Sequence, residues 1–278
     1  MPRPAPGCKD QRTVLSSPRR AAQILDEECR RYVGGLANRL AMLLRAPKER
    51  RRPEQESGRV DSRALSSVKT GNRNVFVRYP KQLDRGTAVS ILVDCSGSMA
   101  TDGRDRMAGR AAYVLGCALD RAGFAFEVTG WSEETCRAGG LMWSRCEDHV
   151  EWVVKDFEDR WLKVRGRCAQ IQARGNNDDA TAVYYAARRL AKRTEERKLL
   201  IVLSDGSPAH YCGRFDADAQ LRTVLTHVKG AGIQVAGIGI QSTAVEKFYQ
   251  DSEVVWDLSE LPRACTRMLE RMTKGATK

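Results

Sequence analysis

Ala88-Val89-Ser90-Ile91-Leu92-Val93-Asp94-Cys95-Ser96-Gly97-Ser98-Met99 decides how the chain is read. Val89 to Val93 is a short apolar run rich in β-branched residues and flanked by turn residues. That pattern reads as a buried strand of a parallel sheet. The strand ends on Asp94, and hydroxyls follow at every second position, Ser96 and Ser98. Gly97 lets the backbone between them turn tightly. One carboxylate and two neutral hydroxyls at a strand's carboxyl end form a small nest of hard oxygens. Such a nest suits Mg²⁺, which takes oxygen ligands near octahedral geometry and keeps some water.

A second element of the same kind lies downstream. Lys198-Leu199-Leu200-Ile201-Val202-Leu203-Ser204-Asp205-Gly206 is another apolar strand ending in an aspartate and a glycine. In open α/β sheets ligands bind outside the carboxyl ends of the strands, where strand order reverses. Two acid-tipped strands agree with that rule. Around them the chain alternates strands and helices. Strands are expected at 124–131, 199–203, 233–240 and 254–256, and helices at 106–122, 180–192, 216–230 and 261–272. Residues 150–157 fit strand or helix, and 161–173 are weakly helical. The fold class expected is α/β, with a doubly wound, mostly parallel sheet flanked by helices.

The 278 residues carry a net charge of +12, unevenly spread. Residues 1–90 hold 20 Lys/Arg against 9 Asp/Glu, while 91–278 hold 27 against 26. A basic N-terminal third can bind nucleic acid, an anionic membrane or an acidic protein, and is more often a solvated helix face. Nothing approaches the ~18 consecutive apolar residues of a membrane span. Met1 to Pro6 lacks the apolar core of a signal peptide, so the expected location is cytoplasmic. Nine scattered cysteines without a Cys-x-x-Cys pair read as reduced thiols. Cys136, Cys146, His149 and Cys168 are the nearest approach to a zinc cluster, but paired ligand spacing is missing.

Before the first strand, residues 1–17 have three prolines and little periodicity and read as a disordered tail. Arg19 to Leu44 reads as a helix, with Gly34-Gly35 a candidate break. Lys48 and Arg50 to Arg52 form a basic loop. Gly58 to Leu65 looks like a helix start, and Asn74 to Tyr79 like a strand or extended lead-in. Residues 132–149 are expected to be a long loop.

Asp94-x-Ser96-x-Ser98 followed by a distant strand-end aspartate resembles the metal-ion-dependent adhesion site of von Willebrand factor A (VWA) domains. From about Leu36 to Met272 the chain further resembles the C-terminal VWA region of CobT-type cobaltochelatase subunits. The resemblance rests on Leu36, Leu40 and Leu43, then Gly58-Arg59-Val60-Asp61 and Val93 to Met99. It continues through Asn177-Asp178-Asp179, Arg188-Arg189-Leu190, Leu203 to Pro208, Gly237 to Ile240 and Phe248-Tyr249. The division it implies is a tail at 1–17, a basic helical extension at 18–85 and a VWA domain at 86–278.

The resemblance also implies a divalent cation, Mg²⁺ or another such as Mn²⁺. Asp94, Ser96 and Ser98 would form its first loop and Asp205 its last acidic ligand. The middle ligand falls to Asp179, with Thr181 as the alternative. Helix capping is the competing role for Asp178 and Asp179. The implied partner is a ring-forming AAA+ ATPase of the MoxR/CobS type, acting on a chelatase large subunit or another client. The chain has no Gly-x-x-x-x-Gly-Lys-[Ser/Thr] loop, so ATP hydrolysis belongs to the partner. A phosphatase of the haloacid-dehalogenase type would need a second carboxylate where Ser96 stands. The reading is therefore a binding subunit without a catalytic site of its own. The alternative is a nucleic-acid-associated protein using the basic N-terminal third.

Overall fold

The computed structural model describes residues 8–44, 52–55, 59–60, 74–78, 86–134, 147–206, 208 and 216–275. In chain order these give β1 (Asp10–Val14), α1 (Arg19–Leu44), β2 (Arg52–Gln55), β3 (Arg59–Val60) and β4 (Phe76–Arg78). Next come β5 (Thr87–Asp94), α2 (Arg104–Ala122), β6 (Ala125–Glu134), β7 (Asp148–Lys155), α3 (Trp161–Val164) and α4 (Asp179–Ala191). The rest is β8 (Arg197–Ser204), α5 (Ala217–Gly230), β9 (Ile233–Ile240), β10 (Asp251–Val255) and α6 (Leu261–Gly275). Seven strands make one sheet in the order β1-β7-β6-β5-β8-β9-β10, and β2-β4-β3 make a small antiparallel sheet. In the large sheet every pair is parallel except β6 with β7. This is the expected doubly wound α/β architecture.

Period-2 alternation sorts the central strands onto two cores. Val89, Ile91, Val93, Leu199, Ile201 and Leu203 face α1, α2 and α6. Ala88, Leu92, Leu200 and Val202 face α4 and α5. All eight residues of β5 are buried. That is why its sequence runs apolar on both faces instead of alternating with polar residues. Strand order reverses beside β5: β6 and β7 lie to one side, and β8, β9 and β10 to the other. The carboxyl ends of β5 and β8 therefore flank the switch-point crevice.

The structure corrects several expectations. Within 1–17, Asp10–Val14 is an edge strand paired with β7 from Asp10↔His149 to Val14↔Val153. All five of its residues are exposed, so no apolar periodicity announces it. Main-chain pairing holds it, together with Arg12, which bonds Glu151 at 3.1 Å and Asp156 at 2.5 Å. The 18–85 stretch is not an appendage in its helical part. α1 is continuous through Gly34-Gly35 and buries Leu25, Cys29, Leu36, Ala37, Leu40 and Leu44 in the α2/α6 core. Burial of that stripe outweighs the ~1 kcal/mol that each mid-helix glycine costs. Thr87 Oγ1 donates to the Leu44 carbonyl at 2.7 Å and Arg197 Nη1 to the Leu43 carbonyl at 3.1 Å, so the two parts are continuous.

Arg59-Val60 is a strand where a helix start was expected, and 61–65 fall outside the described residues. The 132–149 loop is shorter than expected, since β6 reaches Glu134 and β7 starts at Asp148. Cys136, Trp143, Cys146 and the Lys48–Arg51 cluster fall outside the described residues. No helix among the described residues is long and apolar enough to cross a membrane. Among the described residues Cys29, Cys95, Cys117, Cys168 and Cys265 are free thiols.

Candidate metal site

Asp94 is the last residue of β5 and is fully buried. Three segments fix its carboxylate. Oδ1 accepts the Ser96 backbone N–H at 2.8 Å, which folds the first loop back on the strand end. Oδ2 accepts the Ser204 hydroxyl at 2.6 Å from β8 and the Asn177 amide at 3.4 Å from the segment before α4. Burial raises the Asp94 pKa, the Ser204 and Ser96 hydrogen bonds oppose that rise, and the nearby Asp205 carboxylate adds to it. Ser96 and Ser98 stand with their hydroxyl oxygens 3.0 Å apart. Ser96 is buried and Ser98 exposed, so the pair leads from the strand end to solvent.

The second loop is laced to the first through the main chain. Gly97 N–H donates to the Gly175 carbonyl at 2.9 Å, and Arg174 N–H to the Cys95 carbonyl at 2.5 Å. Glu133 and Asn176 exchange backbone hydrogen bonds of 2.8 and 3.0 Å. Gly175 has φ +50°, and a Cβ there would lie 2.0 Å from the Glu133 carbonyl oxygen, so only glycine fits.

This loop delivers Asp178, Asp179 and Thr181 to the start of α4, with distinct roles. Asp178 is the N-cap: it accepts the Thr181 N–H at 3.0 Å and the Thr181 hydroxyl at 2.5 Å. Asp179 occupies the first helical turn, is buried, and has no partner for Oδ2 among the described residues. Burial raises its pKa well above the carboxylate range, and the Asp94, Asp178 and Asp205 charges raise it further. The capping role thus falls on Asp178, and the Thr181 hydroxyl proton is committed to it.

Asp205 follows β8. Its Oδ2 lies 3.4 Å from Arg104 Nη1, while Oδ1 is buried without a partner among the described residues. Its backbone carbonyl accepts the Ser242 hydroxyl at 2.6 Å. Ser204 Oγ also accepts the Gly206 N–H at 2.8 Å, so one hydroxyl ties this turn to Asp94.

Asp94, Ser96, Ser98, Asp179, Thr181 and Asp205, singled out in the sequence, lie on the segments that follow β5 and β8 and at the start of α4. Asp94, Asp178, Asp179 and Asp205 put four buried carboxylates there, two with an oxygen that has no partner among the described residues, against Arg104 at the edge. Buried charge without a counter-charge is costly, and protons or a cation relieve it. Among the described residues no three His, Cys, Asp or Glu side chains are close enough to hold a metal unaided. Carboxylates and hydroxyls are hard oxygens, the donor class that Mg²⁺-like divalent cations take. The zinc cluster considered from sequence does not assemble among the described residues. Cys168 is buried in the α1/α2 core, whereas His149 on β7 bonds Glu133 at 2.6 Å.

Sequence reasoning missed Asn177, Ser204, Arg104 and Ser242. Asn177 and Ser204 lie inside the quoted blocks, but their roles depend on contacts between distant segments. Asn177 and Ser204 reach across 83 and 110 residues to Asp94.

Comparison with known proteins gives a curated relative, several solved structures and a family model. YojO of Bacillus subtilis (strain 168), an uncharacterized protein, is 24% identical over 234 residues, which are 80% of this chain and 35% of YojO. The chain thus spans about a third of the length of that curated relative. Solved structures similar to it include the PilB minor pilin from Streptococcus sanguinis, with a TM-score of 0.46 and 13% identity over 74% of this chain and 65% of that one. Manganese-loaded Plasmodium vivax TRAP protein gives 0.42 and 13% over 66% and 73%. The model of the family described as cobalamin biosynthesis protein CobT VWA domain matches residues 75–275. That match takes in every site residue named above and most of the chain, which therefore belongs to the CobT VWA-domain family.

Proposed function

We propose that this chain is a cation-dependent binding subunit that couples an AAA+ ATPase of the MoxR/CobS type to a client. Asp94, Ser96, Ser98, Asp179 and Asp205 would hold the cation, Mg²⁺ or Mn²⁺. Thr181 is the alternative to Asp179 as the middle ligand. The observation that carries this reading is the pair of unpartnered, buried carboxylate oxygens on Asp179 and Asp205, beside the Ser96–Ser98 hydroxyls at the switch point. The cation would supply an electrophilic centre able to accept a glutamate or aspartate from a partner, which is binding rather than turnover chemistry.

Charge balance refines the proposal. Three carboxylates around one divalent ion leave a net negative site, which would weaken the pull on an incoming acid. Arg104, with its Nη1 3.4 Å from Asp205, offsets that excess at the edge of the crevice.

Family membership supports a place in a cobaltochelatase-like complex as a non-catalytic subunit, acting in the cytoplasm on a chelatase large subunit or another remodelled protein. The test is a pull-down with the full chain as bait, in Mg²⁺ and in chelator, alongside Asp94→Ala. The expected result is an AAA+ ATPase retained in Mg²⁺ and lost in chelator and in the variant. Equal retention in all three would overturn the cation bridge. Nucleic acid retained in chelator, with no ATPase, would move the function to the basic N-terminal third.

A further inference from the structure

A cleft of about 460 Å³ lies between α1, the start of α2 and the segments that follow β9 and β10. Its walls continue from two of the site loops. The turn Gly97–Gly103 carries Ser98 near one end and, at the other, Asp102 and Gly103 on the cleft wall. Gln241, also on the wall, precedes Ser242, whose hydroxyl holds the Asp205 carbonyl at 2.6 Å. Asp102 and Gln241 are the non-glycine residues with positive φ among the described residues, at 52° each. Such backbone is costly and gathers at functional sites.

The lining has the composition of a contact surface. Trp256, Tyr32, Met107 and three arginines are of the types enriched in protein interfaces. Trp256 is 58% exposed yet held in place. Its backbone N–H donates to Glu260 Oε2 at 2.8 Å, and its carbonyl accepts the Gln241 side-chain amide at 3.4 Å. A lone exposed apolar side chain is ordinary, but a tryptophan fixed on an arginine-lined cleft has the make-up of a binding hot spot. The charges sort by commitment. Arg110 is paired with Glu28 at 2.6 Å, Arg31 stacks on the Tyr32 ring at 4.7 Å, and Asp257 accepts the Ser259 N–H at 2.9 Å. The Arg106 guanidinium rests on the turn at Gly103, where an added Cβ would lie 3.1 Å from Nη2, and has no ion pair among the described residues. Asp102 is the remaining acid, so the cleft selects the position of an incoming carboxylate rather than net charge. Glu28, Arg31, Asp102, Arg106, Trp256 and Asp257 are all exposed. An opening of that breadth suits a length of peptide better than an enclosed small molecule.

We propose that this cleft is a second docking subsite for the protein partner that ligates the cation: an extended segment of that partner seats an apolar side chain against Trp256 and a carboxylate on Arg106. This rests on the cation-bridge reading above for its partner and adds a surface to it.

The experiment titrates the full chain by calorimetry, in Mn²⁺ and in chelator, with synthetic peptides that join an aspartate to a Phe-Glu pair through glycine spacers of increasing length. Control peptides carry Ser-Gly in place of Phe-Glu. The same titrations are run on Trp256→Ala and Arg106→Glu, which change exposed side chains and leave the core filled. At one spacer length the Phe-Glu peptide is expected to bind about 10-fold or more tighter than its control, and each substitution to remove that gain. Mn²⁺ affinity is expected to stay at the wild-type value in both variants. A chain that binds Mn²⁺ but favours no Phe-Glu peptide over its control overturns the subsite alone, as do folded variants that keep the gain. A wild-type chain that binds no Mn²⁺ overturns the cation bridge, and the Phe-Glu peptide without its aspartate then tests the cleft by itself, failure to bind overturning it as well.

Discussion

Ser204 and Asp94 face each other across the β5–β8 seam, the hydroxyl donating to Asp94 Oδ2 at 2.6 Å over a sequence separation of 110 residues. Ser204 is thus the strap between the two acid-tipped strands. Ser204→Ala deprives Asp94 of its nearest donor and leaves the Gly206 N–H without its acceptor. The expected cost is about 1–3 kcal/mol of stability, with a several-fold loss of Mn²⁺ affinity. Chemical denaturation and metal titration of the variant measure both.

Asp94 is the residue on which the first loop and both neighbouring segments converge. Asp94→Asn keeps its shape and removes one of four crowded carboxylates. Metal-free, the variant is expected to melt no lower than wild type, since a like charge has left a buried cluster. Mn²⁺ binding and cation-dependent ATPase capture are expected to be lost. Retained Mn²⁺ affinity would contradict the ligand set.

Acidity acts on the site with a definite sign. Burial and neighbouring carboxylates raise Asp94 and Asp179 above 3.8, so the native state holds protons that the unfolded chain has released. Their contribution to metal-free stability is present in full below pH 3.8 and falls as pH rises through the folded-state values, by about 1.4 kcal/mol per pH unit for each extra proton. A bound cation favours the ionised forms, so Mn²⁺ affinity is expected to rise with pH over the same window. Calorimetry in buffers of different ionisation enthalpy should register proton release on binding.

The α1 stripe carries a prediction about domain organisation. Leu36 and Leu40 are 0% and 1% exposed in the core shared with α2 and α6. Leu40→Ala is expected to cost about 2–5 kcal/mol. Removing residues 1–50 would uncover that face and the Leu44–Thr87 contact, so the shortened chain is expected to lose its cooperative melt. A truncated chain that folds and binds Mn²⁺ normally would restore the view of α1 as an appendage.

Arg189 holds α4 to the sheet through paired bonds to Glu127, at 2.9 and 3.1 Å, and to Glu151, at 2.6 and 2.9 Å. Ser90 Oγ supplies Glu127 with a further bond of 2.6 Å. Arg189→Met would leave the fully buried Glu127 without its nearer counter-charge, with Arg12 Nη2 at 4.0 Å remaining. A loss of about 3–5 kcal/mol is expected, read as a lower denaturation midpoint.

Legibility in the sequence followed the physics of each element. β5, β8 and β9 were legible because strands covered on both faces are apolar throughout. The hydroxyl spacing after Asp94 was legible because the ligand pattern is local. β1 was not, because an exposed edge strand held by peptide groups and ion pairs needs no apolar residue. α1 was legible as a helix but not as core, since periodicity gives a buried stripe without naming what covers it. Asp178 and Asp179 could not be separated by pattern alone, because capping and ligation both call for an acid at a helix start. Only the position of the Thr181 hydroxyl divides those roles.

The lacing between the first two site loops has a consequence for how the site can change over evolutionary time. It is built from peptide groups at Cys95, Gly97, Glu133, Arg174, Gly175 and Asn176, which nearly every residue type supplies. Substitutions at most of these positions leave the spacing between the loops intact, while Gly175 is sterically confined to its present identity. Distant relatives could therefore exchange the whole ligand set, and with it the preferred ion, on an unaltered frame. Their common descent would show in a glycine rather than in the residues that touch the metal.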